Sequence, residues 1–232
     1  MSASSRVRAL ADAARTAWES GDAFAAERHG IAAADAARAA RAWDHLAEIL
    51  AFLRGLRSRR LDDAVAADRI VVLDEMPSDP EDIERMEIEP GLVLVRPMLV
   101  AADARRLRLA AFERGVPILV VCREPVTQAG LVPVVAIAPG ATVREKVPPP
   151  EDPDHPSADW LQNAYAALAH AAVQQLDPEL PLLKRMDVLL ARLDAIPDDP
   201  AIHDAAIECC EALVESPEEA EPGRRRRRRA SA

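Results

Sequence analysis

From Ser4 or Ser5, either of which can cap a helix, apolar positions fall at Val7, Leu10, Ala11, Ala14 and Trp18. These spacings of three and four predict a helix that stops at Ser20 and Gly21. Asp22 is placed to cap a second helix, whose small apolar face is read as Phe24, Ala25, Ala32 and Ala36. A third helix follows with Trp43, Leu46, Leu50 and Leu53, closed by Gly55, and a fourth covers about 57–67. The period then changes. Ile70, Val71, Val72 and Leu73 form a compact β-branched run, and Ser78, Asp79, Pro80 and Glu81 form a capping box that opens a short helix to Met86.

After Pro90 and Gly91 the pattern predicts a strand over 92–95, a helix over 101–114 closed by Gly115, and strands over 118–122 and 132–137. Strands alternating with helices imply a small, mostly parallel four-stranded α/β sheet with right-handed crossovers. Pro133 places the last of these strands at an edge, because proline cannot donate to a ladder. Five prolines within 147–158 read as a semi-rigid linker. Three helices follow: about 159–176 with Leu161, Ala164, Tyr165, Leu168 and Ala172 on one face, about 179–193 with Leu182, Met186 and Leu189, and about 200–214. Asp177 before Pro178 and Asp199 before Pro200 are cap and first-turn pairs.

The fold class expected is therefore mixed α and α/β, with alanine-rich helical hairpins flanking the sheet. The organisation is helical hairpins over 1–68, a small α/β domain over 69–146, a linker over 147–158, a three-helix unit over 159–216 and a tail over 217–232.

Gly21 and Gly55 lie 34 residues apart, as do Trp18 and Phe52 before them. The stretch AWESGDAFAAE, with Gly21 at the turn and Ala26 at a small contact position, resembles the junction inside a tetratricopeptide helical hairpin. Arg60 occupies that small position in the second copy, and LDAIPDDPAIHDAA near the C-terminus resembles a further junction. Together these pieces span about half the chain. The resemblance implies helical hairpin repeats and a role in protein interaction.

Composition sharpens this picture. The chain holds 47 alanines but only three Trp, three Phe and one Tyr, so its helices must meet through small contact faces. Three cysteines, two of them adjacent, cannot make a disulfide framework, which fits a reducing compartment. No apolar run approaches the roughly 18 residues of a membrane helix, and Met1 to Arg8 lacks the apolar core of a secretory signal. A cytoplasmic protein without membrane attachment is expected.

The net charge of -10 is unevenly spread. Residues 151–221 carry seventeen acids against three basic groups, and six arginines, Arg224, Arg225, Arg226, Arg227, Arg228 and Arg229, follow. The acidic body disfavours general nucleic-acid binding, leaving the central basic segment over 94–146 and the arginine run eligible, the run as a polyanion-binding candidate that would hold nucleic acid weakly.

A second candidate lies at the C-terminal ends of the parallel strands, where open α/β sheets bind ligands. It gathers Asp74, Glu75, Arg96, Arg123 and Glu124, with the arginines suited to an anion and the acidic pair to a metal or a sugar hydroxyl. No glycine-rich phosphate loop, catalytic serine motif or four-ligand metal set occurs, so neither a cofactor nor a metal is expected. The five histidines are read as surface or packed structural residues. The expected function is a non-enzymatic scaffold or adaptor for a protein partner. The alternatives are a small-anion or small-ligand sensor at the strand ends and a weak nucleic-acid binder through the tail. Self-association is compatible with any of the three.

Overall fold

The computed structural model describes residues 3–77 and 79–220. Contacts divide the chain into two compact units. One comprises the chain up to Arg54, Leu176–Leu190 and the chain from His203; the other comprises Gly55–Gln175 and Ala191–Ile202.

The first unit is helical. Helix α1 covers Ala3–Glu19 and α2 covers Ala23–Ala40. Gly21, at φ +85°, makes the turn between them, and the Asp22 side chain accepts the Ala25 N–H as the sequence pattern predicts. The buried face of α2 is not the one expected. Ala26, Gly30, Ala33 and Ala37 are covered, whereas Ala32 is exposed. In a helix so rich in alanine several stripes look alike, and backbone approach selects among them. A β-carbon on Gly30 would lie 2.7 Å from Leu53 Cδ2, so the stripe containing Gly30 is the one that admits Leu53.

Helix α3 runs without interruption over Trp43–Ala66, which corrects the division into a third and a fourth helix at Gly55. Glycine within a helix weakens it by about 1 kcal/mol relative to alanine, but flanking Leu53 and Leu56 are buried and hold the helix through that position. Within the same unit Arg38 bonds Asp187 at 2.7 Å, Arg54 pairs with Asp204, and the fully buried His203 holds the Leu50 carbonyl at 3.2 Å through Nδ1.

The second unit is built on a five-stranded sheet of β1 (Ile70–Leu73), β2 (Gly91–Val95), β3 (Ile118–Arg123), β4 (Val132–Ala138) and β5 (Ala141–Val147), ordered as in the chain. The pairs β1–β2 and β2–β3 are parallel, while β3–β4 and β4–β5 are antiparallel. The sheet is thus mixed and has one strand more than expected. Strand β5 escapes the sequence pattern because Arg144, Glu145 and Lys146 leave only Val143 and Val147 as buried apolar positions. Pro139 and Gly140, the latter at φ +83°, turn the chain back so that Ala138 faces Ala141.

This hairpin also moves Pro133 from the expected edge to the interior. The Pro133 carbonyl accepts the Glu124 N–H at 2.8 Å, so its missing N–H faces β3 just past the last paired residues, Arg123 and Val134. The ring sits where the ladder has already ended.

Helix α4 (Pro80–Arg85) links β1 to β2, and α5 (Ala101–Glu113) links β2 to β3. The N-cap of α4 is Asp79, which accepts the Glu81 N–H; Ser78 of the expected capping box lies outside the described residues. Val93, Val95, Ile118, Cys122 and Val135 meet Ala104, Leu107 and Ala111 of α5 in one core. Leu92, Leu94, Leu119 and Val121, on the opposite face, are buried as well.

Helix α6 (Ala158–Gln174) packs against β4 and β5, so the proline-rich segment before it lies inside this unit rather than between domains. Trp160 Nε1 donates to the Pro148 carbonyl at 2.9 Å across that segment. Helices α7 (Leu182–Ala195), α8 (Pro200–Glu215) and α9 (Pro217–Ala220) complete the described chain. Asp199 accepts the Ala201 N–H at the start of α8 as expected, but Asp177 accepts the Glu179 N–H in a separate turn, and α7 begins later than its pattern predicts.

Two glycines yield opposite expectations. Gly91 has φ +145°, and a β-carbon there would lie 2.6 Å from the Arg69 carbonyl oxygen. Gly91→Ala is expected to destabilise by more than about 2 kcal/mol. Gly55 has open space around it, so Gly55→Ala is expected to stabilise by about 0.5–1 kcal/mol. Chemical denaturation of the two variants measures both.

Candidate functional site

At the strand ends the structure brings together some of the expected residues. Asp74 follows β1, Arg96 follows β2, and Arg123 ends β3. Arg96 Nε donates to Asp74 at 2.7 Å, and Arg96 also bonds Asp154 at 2.6 Å. These hydrogen bonds, Asp74's first, hold the guanidinium charged and raise its pKa. Burial lowers that of Arg123, with the charge of Arg96 next to it. Glu124 is turned to a different task, a two-pronged pair with Arg144 at 3.0 and 2.6 Å. Glu75 is exposed and joins none of these bonds.

Two facts weigh against a ligand crevice here. A crevice opens where successive crossovers pass to opposite faces of a sheet. The order β1-β2-β3 advances in one direction, crossovers of one hand then lie on one face, and α4 touches α5. The local charge is also unfavourable for an anion, since Arg96 and Arg123 are set against Asp74, Glu75 and Asp154.

A buried polar cluster that the sequence pattern does not reveal lies deeper in the second unit. Arg60 of α3 forms an ion pair with Asp198, and both are nearly inaccessible, at 9% and 4% exposure. The Tyr165 hydroxyl donates to the other Asp198 oxygen at 3.3 Å and accepts the Asp198 N–H at 3.1 Å. The Arg60 guanidinium also lies 5.7 Å from the centre of the Phe112 ring. Alongside, Arg105 bonds the Asp194 carboxylate at 3.1 Å and Arg108 bonds the Asp194 carbonyl at 2.6 Å. The available signal was arginine at a three-residue spacing on two helices, Arg57 with Arg60 and Arg105 with Arg108. Such spacing also fits a solvated face, so the sequence alone does not bury them.

A cavity of about 20 Å³ opens beside Arg105, Arg108, Tyr165 and Asp198, enough for one water. The arrangement fixes helices α3, α5 and α6 to the 194–198 turn. Burial, followed by the Asp198 charge, pushes the Tyr165 phenol well above its ordinary pKa.

The thiols offer no nucleophile. Burial pushes Cys122 and Cys210 up to about 12 and Cys209 up to about 11, the reverse of what a reactive thiolate needs. Among the described residues no group of three metal-ligating side chains gathers. No helix there is long and apolar enough to cross a membrane. The arginine run Arg224–Arg229 lies outside the described residues.

A groove of about 240 Å³ in the first unit is bordered by α1, α2 and α3. Val7, Ala14, Gly30, Ala33 and Ile49 form its floor. Arg8, Asp12 and Arg15 stand on one rim, and His45, Glu48 and Phe52 stand on the other. Small residues make this groove, because Ala11, Ala14 and Ala33 leave space that larger side chains would fill. His45 and Glu48 are three residues apart on α3 and share a helix face, but no local signal connects that face to α1.

Tyr165 is the sole tyrosine, which makes its titration readable. Native protein should show no phenolate absorbance at about pH 10, where a free tyrosine is half ionised. Because the folded pKa lies above the unfolded one, this group's contribution to stability is complete below about pH 10 and is lost as pH rises beyond it. Phenolate absorbance appearing in the folded protein with an unshifted midpoint would contradict the buried placement. Arg60→Met should destabilise by about 3–5 kcal/mol by leaving the Asp198 carboxylate buried alone, and Asp198→Asn in that background should recover part of the loss in denaturant titrations.

No protein-family model, no curated protein and no solved structure matches this chain.

Proposed function

We propose that the protein is a non-enzymatic interaction module that takes a short apolar segment of another protein into the groove of its helical unit. The observation that carries this reading is the groove itself, with a floor of small and aliphatic side chains and rims that bear charges of both signs. An apolar floor supplies affinity through burial, and Arg8, Arg15, Asp12 and Glu48 set the orientation of whatever lies across it. The α1–α2 hairpin turning at Gly21 is the element that resembles a tetratricopeptide unit, whose implied role is the same.

The chemistry of the remaining groups supports a binding role over a catalytic one. The thiols are held protonated by burial, and Arg96 already has two carboxylate partners. The buried Arg60–Asp198–Tyr165 set bonds to itself.

A photo-reactive residue at Glu48, in the full chain and in its own cells, should capture a protein that the same residue at exposed Ala39 does not. Ala11→Trp, which fills the groove, should weaken binding of that purified partner at least about tenfold, while Ala39→Trp leaves it unchanged. Equal capture at both positions, or full affinity with the groove filled, would remove this reading.

A further inference from the structure

The two edges of the sheet are treated differently. On β5 two of the outward backbone groups are satisfied by side chains: Gln175 Nε2 donates to the Arg144 carbonyl at 3.3 Å, and the Lys146 N–H donates to Glu145 at 2.8 Å. Three consecutive charged residues, Arg144, Glu145 and Lys146, guard the same edge. Strand β1 has none of these devices. Its sequence is Ile-Val-Val-Leu, without proline, charge or bulge, and Ile70 is 38% exposed.

The register shows which groups of β1 face outward. Leu92 N–H bonds the Arg69 carbonyl at 2.8 Å and Arg96 N–H bonds the Leu73 carbonyl at 2.9 Å, so the odd-numbered residues turn their backbone toward β2. Ile70 and Val72 therefore turn theirs away from the sheet. Among the described residues nothing bonds to them there.

We infer that β1 is a self-association edge, pairing antiparallel with β1 of a second copy about a two-fold axis at Val72. Antiparallel neighbours that exchange hydrogen bonds must both present outward groups, which restricts the register to even-numbered residues opposite even-numbered ones. With Val72 opposite itself, Ile70 faces Asp74 of the partner subunit. On the other face Val71 meets Leu73 of the partner subunit, and Arg69, just before the strand, comes within reach of Glu75 of the partner subunit, just past the bend at Asp74. The two-fold repeats that charge pair at the other end, so the apolar centre is bracketed by two opposite-charge pairs.

The neighbouring register, with Ile70 opposite Val72 of the partner subunit, instead leaves Arg69 facing Leu73 of the partner subunit and Glu75 without a counterpart, because the chain has left the extended conformation at Asp68, φ +49°. Charge complementarity thus selects both the second copy as occupant and the register. Arg69 already pairs with Glu89 in its own chain, yet its side chain is half exposed and retains guanidinium nitrogens to donate. Glu75, without a role at the strand ends, gains one here.

Sedimentation velocity of the full chain at tens of micromolar should show a dimer. Val72→Cys should form a disulfide-linked dimer on mild oxidation, because the paired Cα atoms would lie about 5.5 Å apart, within disulfide range. Ile70→Cys should not, since the two copies of that residue would be about 14 Å apart. The native thiols are buried and give no background. Val72→Pro removes an N–H that β2 does not use and should weaken the dimer at least about tenfold. Arg69→Glu and Glu75→Arg should each weaken it, and the double variant should restore it. A monomeric full chain, cross-linking through position 70 in place of 72, or a dimer unaffected by Val72→Pro would each overturn the proposal.

Discussion

Much of this structure follows from the burial of β2 on both faces. All five residues, Gly91 to Val95, are covered, which requires parallel strands on either side and apolar layers above and below. Entry into the strand is equally confined, since Gly91 passes so close to the Arg69 carbonyl that no β-carbon fits. With β1 and β3 placed in chain order on either side, the crossovers α4 and α5 share a face. That arrangement leaves no reversal of strand order among β1, β2 and β3. Arg96 at the end of β2 accordingly turns to Asp74 and Asp154 rather than outward as a receptor for anions.

A shortage of large side chains shapes the rest. With so few aromatic residues to fill space, the helical unit packs through alanine and glycine, and the second unit fastens its helices with arginine. Arg60 reaches Asp198 and covers Phe112, while Arg192 caps the end of α6 through the Ala172 and Gln175 carbonyls. A guanidinium suits this use because its long apolar stem buries surface while its donors satisfy several acceptors at once. Buried pairs of this kind contribute less to net stability than to a single arrangement of the elements they join, since desolvation offsets much of their attraction.

The same shortage leaves surfaces open. Close helix packing through small residues does not close the space between α1 and α3, and the groove results. At the sheet, one edge is protected by side-chain bonds to its backbone and the other presents bare valine and isoleucine. These two features belong to separate units and call on different forces, apolar burial in the groove and main-chain pairing at β1.

Elements whose signals are local were readable in the sequence: the Gly21 turn with its Asp22 cap, strands β1 to β4, α5 with its Gly115 stop, and the buried stripe of α6 from Leu161 to Ala172. Each depends on residues within a few positions of one another, so chain order suffices to specify it. Gly55, β5 and the packed face of α2 were decided by distant partners. Gly55 is carried through by burial of Leu53 and Leu56, β5 exists because β4 offers it a ladder, and α2 turns Gly30 inward because Leu53 needs the room. The strand-end residues were identified by position, but whether Arg96 faces a ligand or two carboxylates depended on crossover direction and on Asp154, 58 residues away. Identity and spacing fix what a segment prefers to be; the tertiary structure alone fixes which charges meet, because no local signal encodes a partner so far along the chain.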